Sequence, residues 1–490
     1  MMQWRHGVTV ALVVGVVGSG VGFGRSMWGQ AAAVPPSAPP ASVIRITVNP
    51  AAAKREIPQD FLGLSFETMA ILKGKDDRYP YFTPQNVALS RLFRSLGVKS
   101  LRIGGNTADT PTIPLPTHED IDSLYGFARL AKVRVMYTLR MRSGDVSVAT
   151  EPASYVMGHY GELTDCLAIG NEPDVFEHHD YAKYSTDMHR FLPEVMKVAP
   201  EAKICGPGTT GGDPTWAGKY ADEFGTMPQL KWVTQHSYPG KSGKKIASVD
   251  SARALLLSPD IDKSYEKYAS GFMPQVKTAG AKFRMEETNS FFSAGAKDVS
   301  NTFASTLWGL GYLHWWLHRG ADGLNFHTGL TTAAGDQQSP CWYAIFWAKP
   351  EGTTILPMAY AMKAFTLAAH GRELPVHVED GIPEIEEYAS VGNDGVVMLT
   401  LVNRSFGDGA KESSIVVPLP KGYTRAETLD LRAPKDDIGA TDGITLGGSA
   451  IGPEGEWNGQ WNVAKVEDGK AYVTLPATSA TLVRLMRRSK

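Results

Sequence analysis

Two adjacent glutamates, Glu286 and Glu287, end a β-like run in the segment FRMEETNSFF, residues 283–292. A third glutamate, Glu172, follows another apolar run in CLAIGNEPD, residues 166–174. Two carboxyl groups without a metal motif suit cleavage of a glycosidic bond, because one protonates the leaving oxygen while the other attacks the anomeric carbon or activates water. Regular alternation along a strand points Glu286 and Glu287 to opposite faces, so one of the two is expected to pack behind the strand.

Eight segments that read as a strand followed by a helix occupy residues 61–371. Their β-rich runs cover residues 61–68, 100–106, 134–141, 166–174, 202–209, 230–239, 282–292 and 322–329. Eight such units in one stretch predict an α/β fold of the (β/α)8 TIM-barrel type rather than an open sheet. No glycine-rich phosphate loop follows the first strand, which argues against a dinucleotide-binding sheet.

In a barrel of this kind, side chains at the carboxyl ends of the strands meet at one mouth. Several predicted strands end in polar residues that suit sugar binding or support of a carboxylate. These residues are Glu67, Arg102, Asn106, Asn171, Glu172, His236, Tyr238, Glu286, Glu287, Asn325 and His327. The pattern predicts an active site at the mouth. A packed strand-end histidine is the alternative for His236, and a structural ion pair is the alternative for Arg102.

The residue pattern changes after residue 371. Short β-like runs with alternating apolar and polar residues are separated there by Gly, Pro and Asp turns. This pattern predicts a C-terminal antiparallel β-sandwich domain over residues 372–490. The run SVIRITVNP alternates in the same way ahead of the barrel. We therefore expect residues 43–58 to add a strand to the sandwich and residues 59–371 to form the barrel.

The N-terminus has the features of a secretory signal peptide over residues 1–33, with Arg5 before an apolar run and alanines at positions 31–33 for cleavage. An uncleaved membrane anchor is the alternative, but the run contains glycines and is short for a span of about 20 residues. Residues 34–42 are rich in proline and predict an extended spacer. The expected location is secreted or periplasmic, without stable membrane association after cleavage.

The composition of the 490 residues is that of an ordinary globular protein, with 43% hydrophobic and 20% charged residues. The net charge of -2 predicts no broad electrostatic attraction to nucleic acid or to a long sulfated polyanion. The cysteines are Cys166, Cys205 and Cys341; they suggest neither a disulfide framework nor a zinc site, and we expect the first two to be buried free thiols. No metal-binding motif ends a predicted strand, so no cofactor is expected.

Four motifs in order, LRIGGN, GNEPD, QHSYP and ETNSFF, resemble those of glycoside hydrolase family 79, the β-glucuronidase and heparanase-like enzymes. The resemblance covers the barrel and the sandwich. It implies a clan of retaining glycosidases in which Glu172 is the acid/base, Asn171 is its helper and Glu287 is the nucleophile. It also implies that Arg102 and Tyr238 support the nucleophile. Together with strand alternation, the family pattern makes Glu286 a supporting residue outside the barrel mouth.

The resemblance further implies that Glu67 and Asn106 bind sugar hydroxyls, and that the backbone N–H groups of Ser293 and Ala294 bind the carboxylate of a hexuronate. Tyrosine hydroxyls help in the family, but Phe292 stands where a tyrosine is expected. Tyr343, in the long loop after the eighth strand, is the candidate for a replacement donor.

These expectations converge on an exported, retaining exo-β-glucuronidase whose partner is a carbohydrate with a terminal β-glucuronate. A retaining β-glycosidase for a neutral sugar, such as a glucoside, xyloside or arabinoside, is the second hypothesis. A carbohydrate-binding protein on an inactive barrel is the third. The presence of both Glu172 and Glu287 argues against the third hypothesis.

Overall fold

The computed structural model describes residues 43–74, 77–79, 81–329, 340–349 and 352–488. The predicted signal peptide at residues 1–33 and the predicted spacer at residues 34–42 lie outside these ranges. None of the described helices is long and apolar enough to cross a membrane.

Eight parallel strands close into a barrel, which confirms the predicted fold class. One strand, β1 (Val43–Val48), precedes it. The barrel strands are β2 (Leu62–Glu67), β3 (Ser100–Gly104), β4 (Arg134–Leu139), β5 (Thr164–Ile169), β6 (Ile204–Thr209), β7 (Leu230–Ser237), β8 (Phe283–Thr288) and β9 (Leu324–His327). Gly63 of β2 pairs with Ser100 of β3 on one side and with Asn325 of β9 on the other, and this second pairing closes the ring.

Helices surround the barrel in the order that the apolar periodicity predicts. They are α1 (Val87–Leu96), α2 (His118–Ala131), α3 (Ser147–Tyr160), α4 (Pro173–Phe176), α5 (Tyr181–Val198), α6 (Thr215–Phe224), α7 (Val249–Leu257), α8 (Ile261–Ser270), α9 (Met273–Thr278), α10 (Phe303–His318) and α11 (Pro357–Ala368). The helical stretch at residues 247–279 divides into α7, α8 and α9. It breaks near Pro259 and Gly271, where proline cannot extend the preceding helix and glycine weakens it.

Local sequence sets several helix ends. Thr117 and Asp120 form a capping box at the start of α2, with reciprocal side-chain and backbone hydrogen bonds. Asn86 accepts a hydrogen bond from the Leu89 N–H at the start of α1, and Gly97 ends that helix with φ at +77°. The Trp-rich α10 is buried from Phe303 to Leu317, so it packs against the barrel wall as a core helix.

The remaining strands form two antiparallel-rich sheets and a hairpin. They are β10 (Phe346–Lys349), β11 (Gly352–Ile355), β12 (Arg372–Leu374), β13 (Val376–Glu379), β14 (Ile385–Val391), β15 (Val397–Asn403), β16 (Ser413–Pro418), β17 (Tyr423–Arg432), β18 (Thr445–Leu446), β19 (Asn462–Val463), β20 (Lys465–Glu467), β21 (Lys470–Leu475) and β22 (Ser479–Arg487). One sheet has the order β13-β1-β16-β21-β20, and the other follows β12-β14-β15-β22-β17-β18 with β19 beside β17. The strand at the N-terminus thus lies inside the sandwich, between β13 and β16.

The barrel and the sandwich share one apolar core, which includes Leu313 of α10 and Val402 of β15. His314 of α10 stacks on Tyr388 of β14 with ring centroids 4.8 Å apart. The Phe303 N–H at the start of α10 donates to the Ala440 carbonyl at 2.9 Å. The sandwich therefore braces the helix that follows β8.

Cys166 and Cys205 form a disulfide bond, so the expectation of two free thiols was wrong. The two residues lie on the neighbouring strands β5 and β6 with their Cα atoms 5.9 Å apart, within the range that a disulfide spans. They pack with Met136 and Trp232 in a small buried cluster. Both were correctly placed in apolar strands, but the register between the strands brings them together.

The disulfide can be tested by counting thiols. After denaturation without reductant, we expect one reactive thiol per chain, from Cys341, because the other two cysteines are bonded. Prior reduction should raise the count to three, the total in the sequence. Three thiols without reduction in protein prepared under oxidising conditions would contradict the bond.

Candidate active site

Most of the predicted polar residues meet at the carboxyl end of the barrel because the parallel strands all end at this edge. Asn325 does not, because it lies beside the start of β3, where it donates to the Ser100 hydroxyl and accepts from Arg284. Glu67 ends β2, Arg102 lies in β3, and Glu172 follows β5. His236, Glu287 and His327 come from β7, β8 and β9 and complete the ring of side chains.

Glu287 is held in the mouth by two donors. The Arg102 guanidinium donates from Nη1 to Oε2 at 2.6 Å, and the Tyr238 hydroxyl donates to Oε1 at 2.8 Å. Burial by itself raises the pKa of Glu287, but the positive charges of His327, His236 and Arg102 and the Tyr238 hydrogen bond lower it well below its usual range. Glu287 is therefore ionised and suited to act as a nucleophile.

Glu172 lies opposite Glu287 and immediately precedes the first residue of α4. Its φ is +49°, in the left-handed region. Burial raises its pKa, and a hydrogen bond with His236 only partly opposes this effect. One oxygen of Glu172 and one oxygen of Glu287 lie within 4.8 Å of each other. Carboxyl groups about 5–5.5 Å apart are typical of glycosidases that retain configuration, whereas inverting enzymes separate them by about 6.5–9.5 Å.

His236 lies among three carboxylates. Its Nδ1 is 2.9 Å from Glu172 Oε1 and 3.9 Å from Glu287 Oε1, and its Nε2 is 3.4 Å from Glu286 Oε1. Burial lowers the pKa of His236, but the charge of Glu287 and the contacts with Glu172 and Glu286 outweigh it and raise the pKa to about 10. The imidazole is therefore a buried cation.

Glu172, His236 and Glu287 have the spacing of a metal site, since one donor atom of each lies within 4.8 Å of the others. A metal bound to His236 would have to displace the proton from Nδ1, which lies 2.9 Å from Glu172 Oε1. Arg102 already pairs with Glu287 at 2.6 Å. The donor set thus fits acid–base chemistry better than metal binding.

The strand that carries the two adjacent glutamates is irregular. Its register with β7 shifts between Gln235 and His236, and its register with β9 shifts between Met285 and Thr288. Strict alternation therefore does not describe this part of β8. The His236 ring separates the two carboxylates, with Glu286 at Nε2 and Glu287 on the Nδ1 side.

Arg102 connects both sides of the site. Its Nη2 donates to Asn171 Oδ1 at 2.7 Å, while Nη1 also contacts the Ser65 hydroxyl at 3.1 Å. The Asn171 N–H in turn donates to Asp109 at 2.6 Å. Arg102 is thus part of a network that holds Asn171 beside Glu172.

Glu67 accepts hydrogen bonds from the N–H and the hydroxyl of Thr107 at 2.9 and 2.6 Å. Burial raises its pKa, but the nearby His327, at 3.6 Å, and Thr107 lower it overall. His327 also contacts Ser65 at 3.0 Å. Asn106 is exposed at the rim, and its side chain has no polar partner among the described residues.

The turn after β8 places Ser293 and Ala294 in the left-handed region, each with φ at +64°. Within the described residues, neither N–H has a hydrogen-bond acceptor, whereas the Ala294 carbonyl accepts from the Trp342 N–H at 2.7 Å. Tyr343 is 7% exposed and stacks on Tyr238 with ring centroids 6.2 Å apart. The turn thus carries two successive backbone N–H groups that have no acceptor within the described residues.

Phe292 contributes an apolar ring to the mouth. It is 44% exposed and meets Tyr238 edge-on, with ring centroids 6.2 Å apart. Its N–H donates to the Lys241 carbonyl at 2.8 Å, and its carbonyl accepts from the Gly243 N–H at 3.0 Å. The loop after β7 therefore holds the turn after β8 in place.

Sequence reasoning missed several residues that hold the site. Asp109 is buried and accepts from the N–H groups of Met141, Arg142 and Asn171 at 2.7, 2.9 and 2.6 Å. It joins the loops after β3, β4 and β5. Asp109 follows the predicted site residue Asn106 by three positions, and this closeness could have marked it. A loop aspartate is common, however, and does not by itself predict such a role.

No protein-family model matches the chain, and no curated protein matches it in sequence. A 4-O-α-L-rhamnosyl-β-D-glucuronidase from Fusarium oxysporum 12S is 19% identical, with a TM-score of 0.67 over 90% of this chain and 99% of that chain. A GH51 arabinofuranosidase from Xanthomonas axonopodis pv. citri is 14% identical, with a TM-score of 0.68 over 90% and 99%. CelM2, a bifunctional glucanase-xylanase from a metagenome library, is 13% identical, with a TM-score of 0.59 over 91% and 99%.

These similar structures are glycoside hydrolases by name. At such low identities they establish a shared fold, the barrel with its sandwich domain. The resemblance to glycoside hydrolase family 79 stays a prediction from the sequence motifs.

The buried charge of His236 makes stability depend on pH. The folded protein keeps this proton up to a pKa of about 10, whereas an unfolded histidine loses it near 6.5. The charge of His236 therefore contributes fully to the free energy of unfolding below pH 6.5. This contribution is lost as the pH rises toward about 10. We expect the free energy of unfolding to fall over this range, as measured by denaturant titration. His236→Gln should remove this part of the slope, and an unchanged slope would contradict the assignment.

Proposed function

We propose that the chain is a retaining exo-β-glucuronidase, with Glu172 as acid/base and Glu287 as nucleophile. The observation that carries this proposal is the opposed pair of carboxyl groups, Glu172 after β5 and Glu287 on β8, with oxygens within 4.8 Å. Their surroundings shift the two pKa values in opposite directions, upward for Glu172 and downward for Glu287. One acid and one carboxylate at short range are what double displacement requires.

In the first step, a Glu287 oxygen attacks the anomeric carbon while Glu172 gives its proton to the leaving oxygen, and a covalent glycosyl-enzyme forms. Arg102 and Tyr238 hold the attacking carboxylate in place. In the second step, Glu172 removes a proton from water, the water oxygen bonds to the anomeric carbon, and Glu287 leaves as a carboxylate. His236 donates to Glu172 while that residue is ionised.

The free N–H groups of Ser293 and Ala294 support glucuronate as the sugar. A buried carboxylate on the sugar ring needs donors, and backbone N–H groups at a left-handed turn supply them without a charged side chain. Tyr343, stacked on Tyr238, is the candidate hydroxyl donor. Glu67, Asn106 and Asn171 are the candidates for the sugar hydroxyls.

A β-glycosidase for a neutral sugar is the second candidate function, and Phe292 favours it. The exposed phenyl ring supplies apolar contact where a tyrosine would supply a hydroxyl for a carboxylate. The similar structures include arabinofuranosidases as well as a glucuronidase. A neutral sugar is therefore the alternative that a panel of substrates tests.

A panel of p-nitrophenyl β-glycosides separates the two candidates. We expect kcat/KM for the glucuronide to exceed that for the glucoside by about tenfold or more, since one charge-assisted hydrogen bond contributes about 1.5–3 kcal/mol. The glucoside is the matched control because it differs only in the group attached to C5, a hydroxymethyl in place of the carboxylate. Equal rates, or faster cleavage of the glucoside, xyloside or arabinoside, would favour the neutral-sugar enzyme.

The assigned roles of the two glutamates predict different mutant behaviour. Glu287→Gln should abolish turnover of every glycoside, because the amide cannot form the glycosyl-enzyme. Glu172→Gln should lower kcat/KM for p-nitrophenyl glycosides by about 10²- to 10⁴-fold, the usual contribution of a general acid. Circular dichroism should show both variants folded. NMR of the first-formed sugar should show the β-anomer, and an α-anomer would overturn the retaining mechanism.

We also propose that the protein is exported, which rests on the signal-like residues 1–33 and is supported by the Cys166–Cys205 disulfide. Disulfides form and persist in oxidising compartments. Expression with the natural N-terminus in a bacterial host should yield a chain, in the medium or periplasm, whose N-terminal sequence starts after residue 33. Recovery from the cytoplasm with Met1 or Met2 intact would argue against export.

A further inference from the structure

Glu286 is a buried carboxylate that the proposed mechanism does not use. It is 1% exposed, and Oε1 lies 3.4 Å from Nε2 of His236. Its other oxygen, Oε2, is buried and has no hydrogen-bond partner within the described residues. A buried carboxylate with so few partners is costly, and its one close cation is the imidazole that also contacts Glu172.

The backbone of β6 makes room for this carboxylate. A Cβ atom added at Gly208 would lie 2.0 Å from Glu286 Oε1 and 3.5 Å from His236 Nε2. Gly208 has φ at +61°, a conformation that suits glycine. Its carbonyl accepts from the Glu172 N–H at 2.9 Å. The same residue thus admits Glu286 on one side of the imidazole and holds Glu172 on the other.

Titratable and charged groups from several helices and strands surround Glu286 and His236. Tyr184 of α5 and Tyr220 of α6 lie near Glu286, and both are buried. The Arg102 and Arg284 guanidiniums act on Glu286 through their charges. Tyr268 of α8 donates to the His236 carbonyl at 2.5 Å. In the described part of the chain, His236 is the cation within ion-pair distance of Glu286.

We propose that Glu286 is a positioning residue that acts through His236 on the acid/base Glu172. Its carboxylate at Nε2 keeps the imidazole doubly protonated, so that Nδ1 carries a hydrogen and donates to Glu172. A neutral ring with its proton on Nε2 would instead accept from the Glu172 carboxylic acid and compete with the leaving group for that proton. This inference rests on the proposed function of Glu172.

In this arrangement, Glu172 changes its protonation during the reaction and His236 does not. Glu172 passes its proton to the leaving oxygen in the first step and takes one from water in the second. His236 keeps both of its protons throughout and faces a neutral and then an ionised Glu172. The Glu286 carboxylate behind the ring stabilises the cation in both states.

NMR of the histidine rings tests the first part of the proposal without any substrate. In the native chain, the His236 ring should carry protons on both nitrogens at pH 8, with its signals assigned by comparison with His236→Gln. In Glu286→Gln the ring should lose a proton at lower pH, because removing an anion beside a cation lowers the pKa of the cation. A neutral His236 in the native chain at pH 7, or the same titration in the variant, would overturn the proposal.

Leaving-group dependence tests the action on Glu172. We expect Glu286→Gln to lower kcat/KM about tenfold or more for a p-nitrophenyl glycoside, which needs acid assistance, and less than about threefold for the 2,4-dinitrophenyl glycoside, which needs little. Glu286→Asp keeps the charge and should lose less. Equal losses on both substrates would mean a structural role or an effect on Glu287, and no loss would also refute the proposal.

Two controls make the result specific. Glu386→Gln removes another buried glutamate, one that pairs with Arg404 at 2.8 Å in the sandwich, and should show no leaving-group dependence. The double variant Glu286→Gln with His236→Gln should lose little more than His236→Gln alone, since residues that act through one contact are not additive. If Glu286→Gln fails to fold, the titration of His236 in the native chain still tests the proposal, because a neutral ring at pH 7 would overturn it. If the native chain cleaves no glycoside, the proposed function fails while the NMR result still stands.

Discussion

The ion pair between Arg102 and Glu287 removes two full charges from water, with side chains 1% and 8% exposed. Burial of this kind is costly unless each charge has further partners. Tyr238 and the histidines supply them for Glu287, and Asn171 and Ser65 supply them for Arg102. Since these partners come from different strands, the site requires the barrel to be closed and in register. The charge that suits Glu287 for attack thus depends on the whole ring of strands.

The sequence pattern was sufficient to predict the barrel architecture. Eight alternating units predicted the barrel because parallel strands covered by helices read as short apolar runs between amphipathic stretches. The strand-end rule then brought Glu172, His236 and Glu287 to one mouth. The Cys166–Cys205 bond was not predictable in this way. It depends on the register between β5 and β6, which a periodicity of two residues does not specify between different strands.

The irregularity in β8 shows a second limit of sequence reasoning. Alternation placed Glu286 and Glu287 on opposite faces, but the register shifts near His236 change where their carboxylates lie. A bulge re-aims side chains and is common beside active sites. Asp109 was missed for a related reason. Its three backbone contacts join loops that are distant in sequence, and no local pattern marks such a residue.

Glu172 and Glu287 have the same side chain, so their different protonation has to come from their neighbours. Glu287 has a guanidinium at 2.6 Å, whereas Glu172 has an imidazole at 2.9 Å that it shares with two other carboxylates. Glu287 is near three positive groups, His327, His236 and Arg102. Glu172 is near His236, while the charges of Glu287 and Asp174 raise its pKa. The interactions with His236 therefore do not offset the effect of burial, which raises the pKa of Glu172.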